Sequence, residues 1–153
     1  MPERNASVAV MEASATVLAF DFGTKRLGVA VGETMIGLAH PLTEIVGEET
    51  EPRFAAITKV IAEWQPKRLV VGLPLNEDGA AQDSTRRAQR FARQLEGRFG
   101  LPVSFVDERY SSVDAEAGMR ESGARKAINE KRVDSAAAQL ILQQYFHEYA
   151  HAA

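Results

Sequence analysis

The sequence predicts an α/β domain: a five-stranded mixed sheet, three antiparallel strands followed by two parallel ones, with helices on both faces. Three observations predict it. Three short apolar runs follow one another near the N-terminus, separated by segments short enough for hairpins. Beyond them, stretches with helical spacing alternate with two further apolar runs, the pattern of strands joined by crossover helices. With 153 residues, 45% hydrophobic and 25% charged, the chain has material for one ordinary core and little for a second.

Each element has a local reason. Thr16 to Phe22 (TVLAFDF) is the first apolar run and carries Asp21 near its end; Arg26 to Gly32 (RLGVAVG) is the second, and Met35 to Ile45 holds the third. Gly23-Thr24-Lys25 and Gly32-Glu33-Thr34 suit the two hairpin connections. Thr50 to Gln65 reads as a helix, with Phe54, Ile57, Ile61 and Trp64 at helical spacing, Pro52 in the first turn and Pro66 as the stop. Arg68 to Leu73 (RLVVGL) is a buried strand, and Asn76-Glu77-Asp78-Gly79 gives the following loop its turn chemistry. Asp83 or Ser84 is expected to cap a helix that runs to about Phe99, with Ala88, Phe91, Ala92, Leu95 and Phe99 as its apolar stripe.

Gly100 and Pro102 end that helix, and Val103 to Val106 is a fifth strand leading into Asp107-Glu108-Arg109. Ser111 or Ser112 caps a helix to about Glu121, and the segment from Gly123 to Arg132 is polar and basic. Val133 to Tyr149 forms the last helix, with Val133, Ala137, Leu140 and Gln144 along one stripe. Residues 1–14 read as a flexible N-terminal tail and residues 15–153 as a single domain.

Composition excludes several chemistries. No cysteine is present, so disulfides, thiolate zinc sites and a cysteine nucleophile are ruled out. The N-terminal residues lack the basic start and apolar stretch of a secretory signal, and no apolar run is long enough to span a bilayer. A cytoplasmic protein without a membrane partner is expected. The net charge of −3 gives no global reason to suspect nucleic acid. Local distribution does: Arg86, Arg87, Arg90, Arg93 and Arg98 lie between Ser84 and Arg98, with Glu96 the single acid among them. Arg86, Arg90 and Arg93 share a helix face. A solvated face is the bland reading; a face that tracks phosphates is the functional one.

Three acids stand at element ends. Asp21 lies near the end of the first strand, Glu108 at the end of the fifth, and Asp134 at the start of the last helix. Strands one and five running parallel on either side of strand four would bring their ends to one edge, and a helix starting there could add Asp134. Such a set of hard oxygen ligands suits Mg2+ or Mn2+ and metal-assisted cleavage of a phosphodiester, without His or Cys. Taken singly, each acid could equally be a turn residue, a helix-end charge or half of an ion pair. Alternation of side chains along a strand means that one of Asp107 and Glu108, not both, faces the site. The element order, with an Asp on the first strand, is that of the ribonuclease H-like fold.

Four motifs then carry a specific resemblance. Asp21-Phe22-Gly23-Thr24-Lys25-Arg26-Leu27-Gly28-Val29-Ala30, Gly72-Leu73-Pro74-Leu75-Asn76-Glu77-Asp78-Gly79, Asp107-Glu108-Arg109-Tyr110-Ser111-Ser112-Val113-Asp114-Ala115 and Lys131-Arg132-Val133-Asp134-Ser135-Ala136-Ala137-Ala138 resemble, in order, the motifs of the YqgF (RuvX) family. The match runs from about Leu18 to Tyr145. Gly32-Glu33, Glu77 and Ala80-Ala81 depart from the usual pattern and leave the loop contacts open. The resemblance implies a ribonuclease H-like fold similar to Holliday-junction resolvases. It also implies a divalent-metal nuclease linked to maturation of the 5′ end of pre-16S ribosomal RNA. It puts the family's acidic positions, catalytic and metal-binding alike, on Asp21, Glu108 and Asp134, and it is what selects Glu108 over Asp107.

Within that reading, Lys25 and Arg26 stand at the rim of the site. One or two of Arg86, Arg87, Arg90 and Arg93 are expected to contact phosphate, with Arg109 and the segment holding Arg125, Lys126, Lys131 and Arg132 as further candidates. The expected partner is nucleic acid, structured RNA or branched DNA, bound by a monomer or weak homodimer. A Holliday junction resolvase is the alternative enzyme, and a non-catalytic RNA-binding module the alternative from another class. Two motifs are set aside. His147-Glu148-Tyr149-Ala150-His151 spells a zinc-protease pattern, but no residues follow that could supply a third ligand. Asp21-x-Gly23-Thr24 also reads like the phosphate strand of sugar kinases and actin-like ATPases, which need a second lobe.

Overall fold

A computed structural model describes residues 14–76, 78–108 and 133–152, without the side chains of 133–135 and 150–152. The expected tail up to residue 13, Glu77, Arg109, the helix expected from Ser111 or Ser112, and the basic segment up to Arg132 lie outside the described residues.

The first three strands form the expected meander. Strand β1 (Thr16–Phe22) pairs antiparallel with β2 (Arg26–Glu33), which pairs antiparallel with β3 (Ala39–Val46). Helix α1 (Thr50–Trp64) then carries the chain back to β4 (Arg68–Leu73), which lies parallel to β1. Helix α2 (Asp83–Phe99) leads to β5 (Val103–Asp107), parallel to β4, and α3 (Val133–Ala152) is the last described element. The strand order is β3-β2-β1-β4-β5. The carboxyl ends of β1, β4 and β5 therefore share one edge of the sheet, the arrangement expected from the sequence.

Alternation along the strands gives the sheet two apolar faces, each covered by helices. Leu18 and Phe20 of β1 and Leu69 and Val71 of β4 face α1 and α2, where Phe54, Ile57, Phe91 and Leu95 pack on them. Val17, Ala19 and Val70 face the other way, onto Ala138, Ile141, Leu142 and Phe146 of α3. Phe91 centres the first layer: its ring stacks on Phe22 at 4.9 Å between centroids and meets Phe20 edge-on at 5.8 Å. Burial of these rings supplies much of the drive to fold that side.

Some local expectations need correction. Helix α2 begins one residue earlier than expected: Gln82 is its N-cap, and Asp83 stands in the first turn. The buried Thr85 hydroxyl explains the start, because it accepts from the Gln82 N–H (3.0 Å) and donates to the Pro74 carbonyl. On α1, Trp64 is 37% exposed while Arg53, a residue with no place on the expected stripe, is buried. On α3 the buried face is Ala138, Ile141, Leu142 and Phe146 instead of the stripe through Ala137, Leu140 and Gln144. That helix is apolar on several sides, so its spacing did not single out one face. Polar side chains settle its seating: Gln139 donates to the Ala39 carbonyl, and Gln143 accepts from the Ala39 N–H and donates to the Gly37 carbonyl.

Candidate active site

The site begins with β1. Val17 and Ala19 point to the α3 side, so strand alternation puts Asp21 there as well. Asp21 pairs with Gly28 of β2 in the last rungs of the hairpin. Gly23, directly beyond, has its reason in the turn: a Cβ there would overlap the Arg26 carbonyl oxygen. The tight hairpin accounts for this glycine, so no approach of a ligand needs to be invoked for it.

On β5, Val106 is buried under α3 and pairs with Gly72 of β4, while Asp107 turns to the opposite side. Glu108, the next residue, returns to the α3 side. Its carboxyl group reaches over β4 and hydrogen-bonds the carboxyl of Asp21. Gly72 makes this possible. A Cβ on Gly72 would overlap Glu108 Oε1 and Ile141 Cδ1, so any other residue in the middle strand would separate the two acids.

Electrostatics follow from the geometry. Burial, then the Asp21 charge and the hydrogen bond to Asp21, with a smaller contribution from Asp107, raise the Glu108 carboxyl to about 8. The pair accordingly keeps a proton between its oxygens near neutral pH. Two carboxylates crowded in this way, both hard oxygen donors, are the kind of donor pair that a divalent cation such as magnesium neutralises. Among the described side chains, no group of three or more His, Asp or Glu residues gathers as a ready ligand set.

Asp134 is placed by its backbone alone, in the first turn of α3. The direction of α3 locates that turn. The Phe146 ring lies against Gly32, which pairs with Val17 at the amino end of β1. Ile141 lies against Gly72, near the carboxyl end of β4. The helix therefore runs antiparallel to β1, and Asp134, two turns before Ile141, starts about 10 Å further toward the carboxyl edge. All three expected acids thus belong to elements that end or begin at that edge.

The basic residues divide. Lys25 is exposed in the β1–β2 turn at the same edge. Arg26 is held by Glu44 across β2 and β3 at 3.1 Å, and Arg86 by Asp83 one turn away at 3.2 Å; exposed pairs of this kind contribute little to stability. Arg87 and Arg90 instead converge with Arg53 on an open cleft between α1 and α2. Sequence reading missed Arg53, which looks like any solvated helix residue, and missed the role of Gly72. A glycine inside a buried strand was the signal for the latter.

No helix among the described residues is long and apolar enough to cross a membrane. Comparison with known proteins agrees with the fold and motifs. A T. thermophilus RuvC solved in complex with Holliday junction substrate superposes with a TM-score of 0.60 at 17% identity, over 91% of this chain and 98% of that one. The Fowlpox virus resolvase with its Holliday junction DNA superposes with a TM-score of 0.56 at 11% identity, over 88% and 98%. In sequence, a Dechloromonas aromatica protein provisionally named pre-16S rRNA nuclease is 57% identical over 89% of this chain and 93% of its own length. A Salmonella arizonae protein of the same name is 47% identical over 88% and 98%. The RuvX family, described as Holliday junction resolvase, matches residues 15–148. The chain belongs to the RuvX family and has the five-stranded, RuvC-like variant of the ribonuclease H-like fold.

Proposed function

We propose that this protein is a hydrolase of nucleic acid, a metal-dependent nuclease that acts in 5′-end maturation of pre-16S ribosomal RNA. The observation that carries the reading is the meeting of the Asp21 and Glu108 carboxyl groups over Gly72 at the carboxyl edge of the sheet. The names of relatives at 57% and 47% identity support ribosomal RNA as the substrate. The family match over residues 15–148 supports treating the chain from residue 15 onward as one catalytic unit.

In this reading Asp21, Glu108 and Asp134 hold Mg2+ or Mn2+ with their carboxylate oxygens. The ions, when bound, stabilise developing charge on the phosphate and lower the pKa of the attacking water. The protein's own contribution is placement. The sheet fixes Asp21 near the end of β1 and Glu108 just past the end of β5, two parallel strands on either side of β4, and α3 starts at the same edge. Glu108 gives up its proton when a cation takes the place of the hydrogen bond to Asp21, so ion binding is linked to proton release. Lys25 in the adjoining turn is placed to neutralise a phosphate oxygen at the rim. With two such ions held by Asp21, Glu108 and Asp134, hydrolysis would, by similarity to ribonuclease H-like enzymes, give 5′-phosphate and 3′-hydroxyl ends. A cytoplasmic location and a monomer or weak homodimer go with the reading.

The test compares wild type with Asp21→Asn on an RNA spanning the pre-16S 5′ processing region and on a four-way DNA junction. Each is incubated with magnesium, with manganese and with chelator. Metal-dependent cleavage of the RNA that is lost in the variant is the expected result. Cleavage of the junction alone would move the function to recombination. RNA binding without cleavage by either protein would make it a binding module.

A further inference from the structure

A cleft opens on the face of the sheet opposite the acids, between the start of α1 and the first half of α2. Arg53, Arg87 and Arg90 line it with Glu48, Phe22 and Gln94. It lies at the same edge as the acids. Phe22 directly follows Asp21, and β3 delivers the chain to the start of α1 at that edge, where Val46 pairs with Arg26. Cleft and acids thus stand on the two sides of one sheet edge.

The three arginines differ in how they are held. Arg53 is 6% exposed. One terminal nitrogen donates to the Thr24 carbonyl (2.9 Å) and to the Gly47 carbonyl (2.7 Å), and the guanidinium sits 5.5 Å from the Phe22 ring centre. Its Nε is buried and has no hydrogen-bond partner among the described residues. A buried guanidinium stays charged, so Arg53 is a fixed positive group with unsatisfied donor capacity. Arg87 and Arg90 stand one turn apart on α2, exposed, and in no ion pair or side-chain hydrogen bond among the described residues. Glu48 is the one acid in the lining, so three guanidinium groups face one carboxylate. Glu49, the N-cap residue of α1, makes no side-chain cap hydrogen bond among the described residues, and the first-turn N–H groups add to the positive end.

This donor set matches a tetrahedral oxyanion, and guanidinium forks bind phosphate through paired hydrogen bonds. A nucleic-acid strand crossing the sheet edge would reach both sides of it. We propose that the cleft is a phosphate-binding subsite that grips the nucleic-acid backbone beside the catalytic edge, at a phosphate other than the one that meets Asp21 and Glu108. That this edge is catalytic rests on the nuclease reading; the binding itself does not.

The experiment measures binding of the Arg87→Ala/Arg90→Ala protein and wild type to fluorescently labelled pre-16S 5′-region RNA and to a labelled four-way DNA junction. A salt titration is run with chelator present, so that nothing is cut. Arg53 is left in place because it also ties two loops together. The expected result is a loss of about tenfold in RNA affinity, and a slope of log affinity against log salt that is shallower by about 1–2. The thermal midpoint should be unchanged. A loss confined to the junction supports the subsite and assigns it to branched DNA. Unchanged affinity for both probes overturns the proposal, as does a loss with no change in salt slope. Failure of wild type to cleave would remove the nuclease reading and leave this measurement intact.

Discussion

The carboxyl group of Glu108 crosses a whole strand to hydrogen-bond Asp21, over the one position on that strand where a side chain is missing. Gly72 is therefore a structural condition for the acidic pair, although it carries no functional group.

Gly72→Ala tests that condition. The added methyl would overlap Glu108 Oε1 and Ile141 Cδ1, the ends of two side chains, so Glu108 must turn away from its place over β4. Overpacking of this kind costs about 1–3 kcal/mol. On the proposed nuclease function, RNA cleavage is expected to fall about a hundredfold, because a small misplacement of a reacting group costs that much. Adding Ile141→Val should recover stability, measured by urea unfolding, without recovering cleavage. Full activity in Gly72→Ala would show that the acids do not need this approach.

The raised Glu108 pKa predicts how stability depends on pH in the metal-free protein. An unfolded glutamate titrates near its ordinary value, whereas the folded one holds its proton up to about 8. Between those values the folded state binds the extra proton, so stability is greatest at acidic pH and declines as pH rises through about 8. Thermal unfolding in chelator should show this decline, and Glu108→Gln should flatten it. Magnesium should raise the midpoint more above the folded pKa than below it, because the cation then replaces no proton.

Arg53→Met addresses the buried guanidinium. It leaves the Thr24 and Gly47 carbonyls without their donor and loosens the β1–β2 turn from the start of α1. A loss of about 2–3 kcal/mol is expected by urea unfolding. Arg53→Lys should recover only part of it, since one ammonium lacks the planar fork.

Phe91→Ala removes the ring around which Phe20, Phe22 and Phe54 are arranged. A loss of about 3–5 kcal/mol is expected. Calorimetry should show it, with far-ultraviolet circular dichroism unchanged at low temperature if the sheet still forms.

The sequence by itself determined the five strands, the helices α1 and α2 and the presence of α3. Their signals are local: the apolar run Thr16–Phe22, the proline-bounded helix before Arg68, the glycine and proline after Phe99. Strand order was legible too, because the order of elements and the short connections leave few ways to fold. Tertiary structure decided what local patterns do not encode. It chose the face of α3, since a helix apolar on several sides needs its neighbours to say which side is buried. It turned Glu108 and not Asp107 toward Asp21, a matter of strand register at one edge; the resemblance had favoured Glu108, but spacing alone left both open. It also buried Arg53 and made Gly72 the floor beneath two carboxyl groups. Each depends on what lies across the sheet, and distances across a sheet are not written along the chain.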